Sequence, residues 1–299
     1  MNPPLSRRAF LLGTATVFGA VACSKSPGVI KVGDPTAATS LNLLLTSGAP
    51  DGPTEQSVAV FVAGVDQRVA AVLRGTAQGI TPAPGSVKLQ VGNEQKQFGP
   101  GISPDIHSDT GATVTTYLTT TYRFPQPGTY WLRATYEGKT ADSPVVVIDR
   151  AAAKIPLSGD PLISTPTPTT TDKRGVNPIC TRTPPCDFHA LSLDVALTQH
   201  LPIAVLFATP LLCQTATCGP VLDSLIAVSA PYAGKINFVH SEIYTDTTAS
   251  ANTPAVVAYH LQSEPVLFLA DAKGVVTERI DGLFGKDEAA AGLARLVAT

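Results

Sequence analysis

Five cysteines and five histidines carry most of the chemistry open to this chain of 299 residues. Four of the cysteines form two short pairs, Cys180-Thr-Arg-Thr-Pro-Pro-Cys186 and Cys213-Gln-Thr-Ala-Thr-Cys218. Four thiols can close disulfides, hold a metal as thiolates, or pass electrons by exchange. The spacings are C-x5-C and C-x4-C, not the C-x2-C pairs common in structural zinc sites, so disulfides are preferred to zinc. A small loop closed by Cys180 and Cys186 is the first expected bond. For the second pair, helix geometry sets a condition. Residues five apart within a helix have Cα atoms about 8.7 Å from each other, beyond the roughly 7 Å that a disulfide spans. A Cys213–Cys218 bond therefore needs Cys213 outside the helix and Cys218 near its start. Gly219-Pro220 agrees, because proline favours the first helical turn. No metal and no cofactor is expected.

The first 23 residues bear on the compartment. Arg7-Arg8 precede about fourteen uncharged, mostly apolar residues that end Ala20-Val21-Ala22-Cys23. The run is short of the ~20 residues a spanning helix needs, but it suits a signal-peptide core. Ser6-Arg7-Arg8-Ala9-Phe10-Leu11 resembles the twin-arginine export signal, and Ala20–Cys23 resembles a bacterial lipobox, with Ala20 where leucine is usual. The resemblance implies a leader over residues 1–22, removed as lipid is attached to Cys23. The expected location is the outer face of a bacterial plasma membrane, lipid-anchored and extracytoplasmic. A plain membrane anchor is the alternative. In an oxidising compartment an even set of four further cysteines reads as two disulfides.

Composition narrows the partners. Loss of residues 1–22 takes two of the 21 basic side chains and none of the 23 acidic ones, leaving 19 against 23. No basic block remains, so nucleic acid is excluded as a partner on electrostatic grounds. The length suits two domains. The 26 prolines gather in connecting segments.

Residues 23–53 read as a tether, with Leu41–Leu45 either part of it or a short edge strand. Residues 54–149 read as all-β: strands at 57–62, 68–73 and 87–91, the last alternating cleanly. The stretch 113–124 puts Val114, Leu118, Tyr122 and Phe124 on one face and mostly threonines on the other. Strands 129–136 and 140–148 are joined at Glu137-Gly138 as a hairpin. Such a series suggests a β-sandwich. The segment Tyr122–Tyr136 is similar to the late strands of bacterial immunoglobulin-like domains. Residues 150–186 read as a boundary. Ser164-Thr-Pro-Thr-Pro-Thr-Thr-Thr171 looks too polar for a core, hence a stiff extended spacer, O-glycosylated or bare.

Residues 187–299 alternate helix and strand signals: a capped helix at 193–197, strand 202–207, a helix from Gly219-Pro220, strand 235–239 and a helix from Thr253-Pro254. A hairpin of 266–270 and 275–280 follows, then a helix at 287–297 burying Ala289, Leu293, Leu296 and Val297. With Phe207 before the cysteine loop, Pro220-Val-Leu-Asp223, Glu264-Pro265-Val-Leu-Phe-Leu269, Lys273-Gly274 and Asp281-Gly282, the region resembles the thioredoxin fold. It is most similar to the membrane-anchored, extracytoplasmic thioredoxin-like lipoproteins of bacteria. The resemblance implies an α/β thioredoxin-like domain whose cis proline is Pro265; a simple strand-entry proline is the other reading. It also implies dithiol–disulfide exchange with exported proteins or redox partners. The family's C-x2-C is here C-x4-C, which puts Leu212 and Thr215 at the family's two cysteine positions. Cys213, in the loop, is the candidate nucleophile and Cys218 the candidate resolving thiol. A stable structural disulfide is the competing role for the pair.

The histidines offer a second class of function. His260 lies shortly before Pro265, and two thiols with an imidazole would suit Cu(I), as in related copper-assembly proteins. A non-catalytic, copper-binding or assembly module is therefore the alternative to an enzyme. A surface role for His260 is the plainer reading. His240 and Glu242 share one side of a strand. His189 and His200 read as ordinary loop and helix-end residues, and His107 as a loop residue without an evident partner. No phosphate loop, nucleophile elbow or H-E-x-x-H occurs.

Overall fold

The structure, a computed structural model, describes residues 41–45, 49–50, 59–75, 80–108, 116–213 and 216–298. The expected leader, Cys23, Val114 and Thr215 lie outside these. Among the described residues no helix is long and apolar enough to cross a membrane.

Among the described residues, nine strands lie between residue 42 and residue 148: β1 (Asn42–Leu45), β2 (Ala49–Pro50), β3 (Ala59–Val62), β4 (Asp66–Arg74), β5 (Val87–Gly92), β6 (Asp105–His107), β7 (Tyr117–Arg123), β8 (Gly128–Tyr136) and β9 (Lys139–Ile148). They form two sheets, ordered β1-β4-β7-β6 and β2-β3-β9-β8-β5. Phe61, Leu73, Leu89, Leu118, Phe124 and Leu132 belong to one buried cluster drawn from both sheets. This is a β-sandwich. In β5, Val87, Leu89 and Val91 are buried while Lys88 is exposed, the period of two that one covered face demands. Glu137 and Gly138 both have positive φ, 49° and 74°, the turn that matches strand twist in a two-residue hairpin. The Leu41–Leu45 cluster supplies an edge strand, antiparallel to β4, with Leu43 buried.

One expectation for β7 fails. Leu118 and Phe124 are buried as anticipated, but Tyr117 on the supposed threonine face is fully buried too. The reason is a second neighbour. Tyr117 and Val72 join the apolar cluster of the C-terminal half.

That half contains α1 (Leu193–Ala196), β10 (Ile203–Phe207), α2 (Cys218–Ser229), β11 (Asn237–Ser241), α3 (Pro254–Ala258), β12 (Val266–Ala270), β13 (Val276–Asp281) and α4 (Lys286–Val297). The sheet order is β11-β10-β12-β13. β10 and β11 are parallel, and β12 runs antiparallel to both β10 and β13. Every residue of β10 and β12 is buried, so both faces are covered. Ala204, Leu206, Leu267 and Leu269 pack with Leu222 and Leu225 of α2 and Leu293 of α4. Val205, Phe207 and Phe268 pack instead with Leu193, Val256 and Tyr259. In α4, Ala289, Leu293 and Leu296 are buried, but Val297 is exposed. It lies off the stripe that the other three define.

Residues 157–189 are not a free spacer. Gly159 N–H donates to Val276 O, Val276 N–H to Asp160 O and Leu162 N–H to Gly274 O, so the segment pairs along the outer edge of β13. It then runs past α1 and α3 with Thr165, Thr167 and Thr169 buried. Thr167 N–H bonds Ser192 Oγ, and Leu193 N–H bonds Thr167 Oγ1. At the far side Asn177 N–H reaches Thr245 O, and Phe188 O accepts from His240 N–H of β11. The polarity that suggested solvation instead satisfies backbone groups, which makes burial tolerable. The segment is a strap that covers both edges of the sheet, the usual sites of unwanted strand pairing.

The sandwich and the second sheet form one compact unit. Arg68 of β4 is the main tie. Its guanidinium donates to Glu288 Oε1 at 2.5 Å and Oε2 at 2.8 Å, to Asp281 O at 2.8 Å and to Leu283 O at 2.6 Å. Tyr117 donates its hydroxyl proton to Glu288 and accepts Gly285 N–H. His107, expected to lack a partner, lies in β6. It contacts Asp287 and Thr119 and stacks on the Tyr117 ring.

Candidate functional site

The end of β10 carries the chain to Cys213. Phe207 pairs with Val266, which sets Pro265 beside the residues leaving β10. Thr209 to Leu212 form a short turn, closed by Leu212 N–H on Thr209 O. The chain then enters α2 at Cys218. Cys213 is thus outside the helix and Cys218 is its first residue. Cys213 Sγ accepts the Cys218 N–H at 3.3 Å and lies 3.9 Å from Thr217 Oγ1. An N–H at the start of a twelve-residue helix is a donor with no partner inside the helix, and the helix dipole adds to its pull on a negative sulfur.

Cys213 is half-buried and Cys218 fully buried. The structure records neither Cys213–Cys218 nor Cys180–Cys186 as a disulfide, so both expected bonds are absent from it. Burial, with Cys213 alongside, pushes the Cys218 thiol up; the Thr209 backbone N–H opposes. The Glu264–Pro265 peptide is cis. Burial and the Cys213 sulfur push the Glu264 carboxyl up. Tyr244 is raised as well, by burial first and then by Glu264 and the two cysteines. Two thiols, a carboxyl and a phenol therefore share one small region. Such a group can hold one sulfur accessible at the start of α2 while a second, protonated sulfur lies buried beneath it. His260 is exposed and His200 is exposed; neither is placed with the thiols.

A second cluster forms where the strap meets β11. Cys180, Cys186, His189 and His240 are all buried, and their ligand atoms all lie within 4.8 Å of one another. The two sulfurs are 3.8 Å apart. His240 Nδ1 is 3.8 Å from Cys180 Sγ, 3.4 Å from Cys186 Sγ and 3.1 Å from His189 Nε2. Its Nε2 lies 3.0 Å from Ala208 O. A hydrogen bond from Cys186, opposed by burial and aided by His189 and His240, holds the Cys180 thiol far down; the Cys186 thiol is pushed up by Cys180 and by burial. Beside them, buried Glu242 accepts both Thr181 N–H and the Thr181 hydroxyl, and burial raises its carboxyl.

No protein-family model matches the chain, and no curated protein does. Among solved structures, the filamin domain of Lin-41 is 13% identical with a TM-score of 0.22, over 34% of this chain and 98% of its own. The M1 domain of titin is 11% identical with a TM-score of 0.19, over 31% of this chain and 87% of its own. A chain of the titin M10–obscurin-like 1 Ig complex is 13% identical with a TM-score of 0.20, over 37% and 95%.

Sequence reasoning placed Cys213, Cys218 and Pro265 together but missed the second cluster. His189 reads in the sequence as an ordinary loop residue, yet it is 2% exposed. Phe188 O accepting His240 N–H lashes the loop beside β11 and so turns His189 inward. A C-x5-C-x2-H string was the available signal.

Proposed function

We propose that this protein is a lipid-anchored, extracytoplasmic, thioredoxin-like protein that exchanges thiols and disulfides with exported proteins or redox partners, with an immunoglobulin-like sandwich as its second part. The observation that carries this reading is Cys213 Sγ accepting the first N–H of α2, with Cys218 buried directly behind it. The sheet order with α2 and α4 on one face supports the thioredoxin-like assignment, and Arg7-Arg8 with Cys23 supports the export and the anchor.

In the reducing direction, Cys213 thiolate attacks one sulfur of a partner disulfide. A Cys213–partner bond forms, the partner S–S bond breaks, and the second partner sulfur leaves as thiolate. Cys218 then loses its proton and attacks Cys213 Sγ. The mixed disulfide breaks and Cys213–Cys218 forms. Two electrons pass to the partner. Glu264 lies near enough for its charge to be felt at Cys218 and that of Cys213 to be felt at Glu264, and in this reading its carboxylate form takes the Cys218 proton. The reverse sequence oxidises a partner dithiol.

The test is reduction of insulin disulfides by the detergent-solubilised full chain with a thiol reductant. Wild type should turn over, and Cys213→Ser should lose at least a hundredfold. Cys218→Ser should accumulate a mixed disulfide. Equal turnover in wild type and Cys213→Ser would reject the reading.

A further inference from the structure

We propose that Cys180, Cys186, His189 and His240 form a closed tetrahedral site for one Zn2+, ligated by both sulfurs, His189 Nε2 and His240 Nδ1. The site uses none of the residues assigned to exchange, Cys213 and Cys218.

The spacing of the four atoms is the first support. With metal–sulfur at about 2.3 Å and metal–nitrogen at about 2.05 Å, a tetrahedral centre sets S···S at about 3.8 Å, S···N at about 3.5 Å and N···N at about 3.3 Å. The observed S···S distance is 3.8 Å, the two S···N distances to His240 are 3.8 and 3.4 Å, and the N···N distance is 3.1 Å. The two sulfur distances to His189 Nε2 are within 4.8 Å, so His189 has the furthest to close on an ion. A disulfide would need the sulfurs near 2.05 Å. These distances therefore describe sulfurs arranged around a shared point, not bonded to each other.

Proton placement is the second. Ala208 O can only accept, so His240 Nε2 carries the proton. Nδ1 is the ring atom left to face two sulfurs and a second imidazole nitrogen. This is the usual tautomer control for a ligating histidine, with the non-ligating N–H tied to a carbonyl. The sulfurs have matching support. Cys186 N–H donates to Cys180 Sγ at 3.4 Å, and Phe188 N–H faces Cys186 Sγ.

Charge and burial decide the ion. All four side chains are less than 9% exposed, so two bare thiolates there would be costly. A divalent cation makes the centre neutral. Two thiolates with two imidazoles in four-fold coordination suit Zn2+, and the lack of exposure marks a structural site without an open position.

The position of the site gives it a task. Thr181, next to Cys180, accepts Leu211 N–H and donates to Glu242. Arg182 binds Asp223 of α2. Zinc would thus lock the strap to β11 and, through Thr181 and Arg182, brace the turn that presents Cys213.

The full chain purified without chelator should hold one zinc per chain by elemental analysis. X-ray absorption should fit two sulfurs at about 2.3 Å and two nitrogens at about 2.0–2.1 Å. Cys186→Ser and His189→Gln should each lower zinc content at least tenfold, whereas Cys213→Ser should retain it. If these variants fail to fold, absorption on the wild type decides alone. A Cys180–Cys186 disulfide in unreduced peptide maps of metal-free protein would overturn the proposal. So would an absorption spectrum lacking two sulfurs, or copper in place of zinc.

Discussion

Replacing Arg68 by methionine keeps much of the side chain's length and removes four hydrogen bonds, two of them to the Glu288 carboxylate. Both partners of that ion pair are about nine-tenths buried. What remains is a buried carboxylate with Tyr117 as its donor, and two carbonyls without this donor. Removing one member of a buried pair costs about 3–5 kcal/mol, because the other charge is left uncompensated. Out of a total stability of about 5–15 kcal/mol that is a large fraction. Replacing Glu288 by leucine in the same chain should return most of the loss, leaving about 1–3 kcal/mol for the orphaned carbonyls. Urea unfolding can report this through two signals: fluorescence of the single tryptophan, Trp131 in β8, which reads the sandwich, and far-ultraviolet dichroism, which reads the whole chain. Wild type should unfold with both signals coincident, and Arg68→Met should separate them. A loss under about 1 kcal/mol with coincident curves would refute the view of Arg68 as the tie between the two sheets' cores.

Glu264 makes a pH-dependent prediction. Burial and Cys213 raise its folded carboxyl above the ordinary 4.5, so the folded state keeps this proton where the unfolded chain has lost it. Its contribution is most favourable below the unfolded value and is eroded as pH rises towards the folded one. Glu264→Gln should therefore gain stability over wild type at about pH 8 and lose that advantage at about pH 4; an equal offset at both would count against it. Cys23→Ala should abolish fatty-acid labelling of the chain in cells, and persistent labelling would remove the lipid anchor.

Short-range patterns were legible in the sequence. The alternation of Val87, Leu89 and Val91, the Glu137-Gly138 turn and the helix announced by Gly219-Pro220 all follow from local backbone preference. The geometric condition on Cys213 and Cys218 was legible too, since it needs only helix rise and radius. What escaped depends on contacts between distant segments. Periodicity puts Tyr117 on an outer face because it knows one neighbouring layer, and the chain supplies two. The threonines at 165–169 read as solvated because hydroxyls advertise polarity, while their burial depends on Ser192 and Leu193, about 26 positions on. His189 and His240 are 51 residues apart, and no spacing rule links them. The C-x5-C spacing speaks against a four-cysteine zinc site, and nothing in it points to the two imidazoles that join the sulfurs in the buried cluster.

The strap along β13 and β11 bears on how this chain can be divided and inherited. A cut at residue 187, where the helix and strand signals begin, would strip the β13 edge of the four-stranded sheet, sever the Asn177–Thr245 tie and remove two of the four side chains gathered in the buried cluster. Even a block of residues 150–298 would leave behind Val72 and Tyr117, which belong to its buried cluster, and Arg68, which binds Glu288. A gene fusion joined within the threonine–proline run would deliver a C-terminal half with a bare sheet edge, and recombination between relatives should favour crossovers before residue 150 over any within the strap.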